Sequence, residues 1–210
     1  MKSKVYCFFI LASIGCASPQ ASDSTSNALD PENHPKTERD EFSFVQKVEE
    51  AHQRHAFLGH DAISFDILLE FGGKERLNAT VALSTDSYKG KFQLADGRSY
   101  YFVGDKVFVD PGYASPDGLR FSAYTWSYFF LLPYKLSDEG TYFAPYTQAD
   151  LNGRTYEAEK LTFSPGTGDA PDDWYILYAD PTDHLLQVAS YIVTAGSSLK
   201  EAELDPHAIA

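Results

Sequence analysis

Cysteine is nearly missing from this chain: its 210 residues hold two, Cys7 and Cys16, both within the first sixteen. No disulfide framework can span the rest, so its stability has to come from burial. Positive charge is also scarce, with 17 Lys and Arg against 30 Asp and Glu and a formal net charge of −13. Such a surface repels phosphate backbones, which excludes nucleic acid as an expected partner. The chain has no apolar run near the ~20 residues that a membrane-crossing helix needs. Catalytic signatures are missing too. Ser164 and Ser190 lack the context of a nucleophile elbow, and no cysteine follows Cys16 to act as a thiol nucleophile. Gly72-Gly73-Lys74 reads as a hairpin turn, because no helix opening on Ser or Thr follows as a phosphate loop requires. No pair among the acids is singled out by spacing for acid–base work. An enzyme is the weaker expectation, and no cofactor is expected.

Aromatic residues, by contrast, are plentiful: 14 Tyr and 15 Phe, with aromatics at 15%. Stiff rings pack well on a pleated, half-buried surface, so the composition points to strands. The length suits one domain with a full core.

The first residues, MKSKVYCFFILASIGC, place Lys2 and Lys4 before a short apolar run that ends at Gly15-Cys16. That is the layout of a secretory leader over residues 1–15. Small residues before Cys16 resemble the lipobox of bacterial lipoproteins, in which the cysteine is acylated and becomes the new N-terminus; palmitate is a typical acyl group. Leu11 stands two places earlier than the usual lipobox leucine. The rival reading is cleavage at Gly15-Cys16-Ala17, giving a soluble periplasmic or secreted protein. Acyl chains on Cys16 would anchor stably, since each buried methylene contributes about 0.8 kcal/mol. Residues 16–40 are rich in Ser, Asp, Asn, Pro and Thr and read as a disordered tether.

The region 41–210 reads as one domain. Phe44, Val45 and Val48 recur at helical spacing, Ser43 and Gln46 form a capping box, and Gly59 is placed to end that helix. The period then changes to two. Runs at 61–71, 75–83, 87–94, 98–103 and 106–109 are separated by Gly72-Gly73, Asp96-Gly97 and Gly104-Asp105, the pattern of an antiparallel meander. A helix is predicted from Phe121 to Leu132, with Phe121, Tyr124, Tyr128 and Leu131 or Leu132 on one face. Trp126, Phe129 and Phe130 fall off that face and Pro133 stops the run, so the helix is apolar nearly all round. Strands resume at 141–146, 155–163, 174–179 and 185–194, and the closing LDPHAIA looks like the beginning of another.

Several of these runs together, Ala51-His52, LPYKLSDEG, LNGRTY, LTFSPGTGDAPDDWYILY, DPTDHLLQVASYIVT and PHAIA, resemble a domain-of-unknown-function family of Bacteroidetes envelope lipoproteins. The likeness covers about residues 42 to 210. It departs from the family pattern where Gln53-Arg54, in place of glycine, follows His52. The family continues past this point with further strands, which implies a truncated C-terminus. Its architecture is similar to that of lipoprotein carriers and sorting proteins. The resemblance implies an α+β, mostly antiparallel fold: a curved, unclosed β-barrel, or half-barrel, of about nine or more strands. An N-terminal helix and one inserted helix would pack on the concave face, and the gap would hold acyl chains.

Three functional classes follow. The first is an outer-membrane lipoprotein, a monomer anchored through Cys16, that carries a lipid or other hydrophobic ligand in an apolar groove lined by Trp126, Phe129, Phe130 and Tyr134. The second is a structural or assembly lipoprotein with a packed core and no ligand. The third and weakest is a metal-dependent envelope hydrolase. For the third, His52 and His55 at i,i+3 with His60 or Asp61 form a candidate ligand set. Histidines near a helix C-terminus are expected without a metal, because they favour the negative end of the dipole. Asp169, Asp172 and Asp173 form an acidic loop that lacks the grammar of a calcium loop, and Asx turns account for it better. No metal is therefore expected.

Overall fold

The computed structural model describes residues 4–7, 43–111, 118–147, 149–204 and 206–209. The leader and tether expected before residue 43, Cys16 among them, lie outside the described residues apart from the backbone of β1 (Lys4–Cys7), a short strand running parallel to β2.

Ser43 caps the first helix as its spacing to Gln46 predicts. Its hydroxyl accepts the Gln46 N–H at 3.3 Å, and its own N–H donates to Gln46 Oε1 at 2.9 Å. The single helix expected to run to Gly59 is broken: α1 (Phe44–Ala51) ends at His52, Gln53 turns left-handed at φ 56°, and α2 (Arg54–Leu58) sets off from there. A left-handed residue with a Cβ costs roughly 1–2 kcal/mol. Contacts made by α2 offset it: Phe57 stacks on Tyr134 at 3.8 Å, and Arg54 Nε donates to the Tyr134 carbonyl at 2.8 Å.

The meander forms as expected. β2 (Ala62–Phe71), β3 (Lys74–Ser84), β4 (Lys89–Leu94), β5 (Ser99–Val103) and β6 (Lys106–Val109) pair antiparallel in chain order. Period-two alternation divides the two faces. Leu77, Ala79, Val81 and Leu83 of β3 are buried, while Asn78, Thr80 and Ala82 are exposed. Phe92, Tyr100 and Phe102 continue the buried face, and Phe92 stacks on Tyr100 at 4.8 Å. Gly90 also faces inward: a Cβ there would come inside 3.0 Å of the Phe102 ring and of Leu83.

The inserted helix α3 (Leu119–Leu131) runs into a 3-10 turn over Leu132–Tyr134. Pro133 sits at the start of that turn, where its missing N–H costs nothing. A second antiparallel sheet follows, from β7 (Thr141–Pro145), β10 (Glu157–Phe163), β11 (Tyr175–Ala179), β12 (Leu186–Tyr191) and β13 (His207–Ile209), in the order β13–β12–β11–β10–β7. The small ladder of β8 (Asp150–Leu151) and β9 (Arg154–Thr155) stands apart, and the short α4 (Leu199–Ala202) precedes β13. β13 falls within the closing run that read as the beginning of a strand.

The fold is thus α+β with mostly antiparallel sheets and few helices, and the sheets do not close: β6 and β7, the strands flanking α3, are not paired. Among the described residues there are two cores, and α3 belongs to both. Leu131, Ala123, Phe130 and Trp126 pack with the first sheet; Leu132, Leu136, Tyr128 and Phe129 pack with the second. A helix apolar nearly all round is what this position between two layers requires. Among the described residues no helix is long and apolar enough to cross a membrane.

Candidate functional site: a cleft beside the inserted helix

Both greasy faces of α3 meet protein. Phe130 stacks on Phe65 with centroids 3.9 Å apart, and Phe129 packs against Tyr191 at 4.7 Å and Tyr175 at 6.1 Å. Trp126 lies 5.9 Å from Phe129, and Tyr134 stacks on Phe57 and meets the edge of His52. Such ring pairs add about 0.5–1.5 kcal/mol each beyond their area burial. Trp126, Phe129, Phe130 and Tyr134, the expected groove lining, are therefore placed in packing between α3 and its neighbours.

A cavity of about 590 Å³ opens on another flank of α3. The apolar part of its wall is Phe102 from β5, Tyr124, Tyr128 and Leu131 from α3, Phe163 at the end of β10 and Tyr175 at the start of β11, and Thr125, Ser127, Thr141 and Thr167 are among its polar members. The loop between β10 and β11 and the β5–β6 turn at Gly104-Asp105 form opposite lips. None of the four expected lining residues borders this cavity.

The lips are tied together by charge. Arg120 grips Asp169 with both prongs of its guanidinium, Nε to Oδ2 at 2.6 Å and Nη2 to Oδ1 at 2.7 Å, and its Nη1 donates to the Asp105 carbonyl. The same guanidinium lies 4.8 Å above the Tyr124 ring, whose hydroxyl donates to the Gly104 carbonyl at 2.9 Å. Asp169 beside Arg120 raises the arginine's already high pKa, and burial raises that of the Tyr124 phenol. At the other end Lys135 donates to Ser87 Oγ at 2.8 Å and pairs with Asp138. Arg120 and Lys135 face five carboxylates around the cavity, from Asp105, Asp138, Glu139, Asp169 and Asp173. Asp173 is occupied by Thr194, whose N–H and hydroxyl both donate to its Oδ1 at 2.7 Å.

Two residues in the wall carry an unmet requirement. Ser127 is 5% exposed, and Tyr128 is half-buried with its hydroxyl oxygen out of contact with solvent; neither hydroxyl oxygen has a hydrogen-bond partner among the described residues. Burying a hydroxyl without a partner costs about 1–3 kcal/mol on protein scales. Burial pushes the Tyr128 phenol well above its ordinary pKa, and that of Tyr175 rises for the same reason. Both rings are neutral at ordinary pH.

The histidine set does not converge. The break at Gln53 removes the continuous helix on which His52 and His55 would share a face. His52 Nε2 instead accepts the Leu186 N–H at 3.0 Å, and burial lowers its pKa. His55, His60 and Asp172 are exposed, and Asp169 serves Arg120. Among the described residues no group of three or more His, Cys, Asp or Glu is arranged to hold a metal ion.

Sequence reasoning missed Phe102, Phe163, Tyr175 and Ser127 as lining. Tyr124 and Tyr128 had been placed together on one helical face, and that face borders the cavity. No family model, curated protein or solved structure matches the chain.

Proposed function

We propose that this chain is a lipid-anchored cell-envelope protein, held at the outer membrane through Cys16, whose folded domain binds a hydrophobic ligand in the cavity beside α3. In this reading the two unclosed sheets are a half-barrel of nine or more strands with α3 on its concave side, and the molecule works as a monomer. The cavity carries the argument: about 590 Å³ falls within the roughly 300–1,000 Å³ typical of ligand sites, and an aromatic and aliphatic wall meets a polar, charged rim. The unpartnered hydroxyls of Ser127 and Tyr128 supply polar groups that a ligand would satisfy. The lip charges refine the ligand class. Both cations are already paired and carboxylates outnumber them, so a neutral headgroup, such as an ester or a sugar, suits the cavity better than a free carboxylate or phosphate.

Native mass spectrometry and lipid extraction of the purified full chain test this. Wild type is expected to carry a co-purifying amphiphile, and Thr125→Trp, which fills the cavity from α3, to lose it. A ligand-free wild type, or equal occupancy in the plugged variant, would favour the structural-lipoprotein reading instead.

A further inference from the structure

The outer face of β4–β6 is basic and aromatic, opposite in character to the acidic chain as a whole. We propose that the outer surface of β4–β6 docks onto an anionic lipid bilayer, independently of any ligand in the cavity and of acylation at Cys16. The register brings the residues together. Lys91 lies opposite Tyr101, and Tyr101 opposite Phe108; one step along, Lys89 lies opposite Val103, and Val103 opposite Lys106. Directly paired residues share a face, so three lysines surround an apolar centre of Tyr101, Val103 and Phe108.

That centre is open to solvent: Tyr101 and Phe108 are 43% and 42% exposed, yet their rings stack at 5.0 Å. Tyr88, 60% exposed, lies against the β5–β6 turn at Gly104 and extends the patch. Of the nearby acids, Asp110 accepts from the Ser99 N–H and hydroxyl, Asp96 pairs with Arg98, Asp86 accepts the Tyr88 N–H, and Asp105, next to Lys106 in the turn, lines the cavity near Arg120. Among the described residues no carboxylate lies within ion-pair distance of Lys89, Lys91 or Lys106. On β3 the next outward residues, Thr80 and Ala82, are uncharged.

Aromatic rings ringed by lysines suit a headgroup region, where rings sit at the apolar boundary and ammonium groups meet anionic lipid. The chain's net negative charge does not forbid this, because at about 0.1 M salt charges more than about 10 Å away are largely screened and the local patch decides.

Co-sedimentation of the full-length Cys16→Ser chain, which removes the anchor, with vesicles of phosphatidylcholine alone or mixed with phosphatidylglycerol tests the proposal. Binding is expected to the mixed vesicles only and to weaken with salt. Replacing Lys89, Lys91 and Lys106 with Gln should weaken it roughly hundred-fold, from about 1 kcal/mol per lysine. Tyr101→Ser with Phe108→Ser should also reduce it, whereas Lys74→Gln with Arg76→Gln, exposed on the β2–β3 hairpin, should leave it unchanged. Equal binding to both vesicle types, no binding to either, or an equal loss in the hairpin control would overturn the proposal.

Discussion

Replacing Tyr128 with Phe separates the energetics of the empty cavity from those of an occupied one. The ring packs against Tyr175 at 5.6 Å and Phe163 at 6.2 Å, contacts that the substitution keeps. Only the hydroxyl is lost, and that hydroxyl is buried with no partner among the described residues. Its burial costs about 1–3 kcal/mol, so removing it should raise the stability of ligand-free protein by about 1 kcal/mol, allowing for a small void left by the oxygen. In a domain of this size that is roughly 2–4 °C in melting temperature. A ligand that hydrogen-bonds Tyr128 reverses the sign, because its affinity for the variant should fall about five- to tenfold, a loss near 1 kcal/mol. Thermal and urea unfolding of delipidated protein, with and without added ligand, read both quantities. Destabilisation of the ligand-free variant by more than about 1 kcal/mol would mean that the hydroxyl is bonded, and would refute the reasoning.

Gly90→Ala should lower stability by about 1–3 kcal/mol in urea unfolding, because its Cβ would collide with the Phe102 ring and Leu83 in the packed first core. Alkaline pH should destabilise the fold. Tyr128 and Tyr175 stay neutral when buried but ionise near pH 10 when unfolded, so stability is full below about pH 10 and should fall by roughly 3 kcal/mol per pH unit above it. Tyr191, pushed up to about 12 by burial, acts in the same direction, and Tyr128→Phe should remove a large part of the slope in the urea midpoint. His52 works at the other end of the scale: its lowered pKa means that the unfolded chain takes up a proton first, so stability present above about pH 6.5 is lost on acidification. His52→Gln, which keeps an acceptor for the Leu186 N–H, should flatten the fall in melting temperature between about pH 7 and about pH 5.

Strands were the most legible part of the chain, because each run of alternating residues is bounded by turn residues that need positive φ. Gly72 and Gly73 at 60° and 70°, and Gly97 at 89°, sit where the hairpins of the first sheet reverse. Helix ends were less legible. Nothing local in Ala51-His52-Gln53-Arg54 marks a break, since neither Pro nor Gly is present. The contacts that offset the left-handed Gln53 come from Arg54 and Phe57 and go to Tyr134, about eighty residues away in the chain. The predicted start of α3 at Phe121 was two residues late, and Phe121 itself is 46% exposed although it was placed on the apolar face. α4 was missed even though Ser198 and Glu201 carry the same capping box as Ser43 and Gln46, because four residues give no hydrophobic period to read.

The site was legible only as a neighbourhood. A helix apolar on nearly every side announces that it is covered on nearly every side, but periodicity cannot say which flank the covering leaves open. That depends on how far the two sheets stand apart along α3. The spacing is set by bulk outside the helix: Phe65 meets Phe130 on one side, and Tyr175 and Tyr191 meet Phe129 on the other. Those rings close both faces, while on the flank with Tyr124 and Tyr128, whose rings lie against Phe102, Phe163 and Tyr175, the polar β5–β6 turn and β10–β11 loop leave the cavity open. The same turn belongs to the strands carrying the outer basic and aromatic face. Period two sends Phe102 to the cavity and its neighbours Tyr101 and Val103 to the outer surface. Adjacent residues of β5 are thus apolar in two different settings, one walling the cavity and its neighbours open to solvent, and only the paired strands on either side reveal which setting applies to which residue.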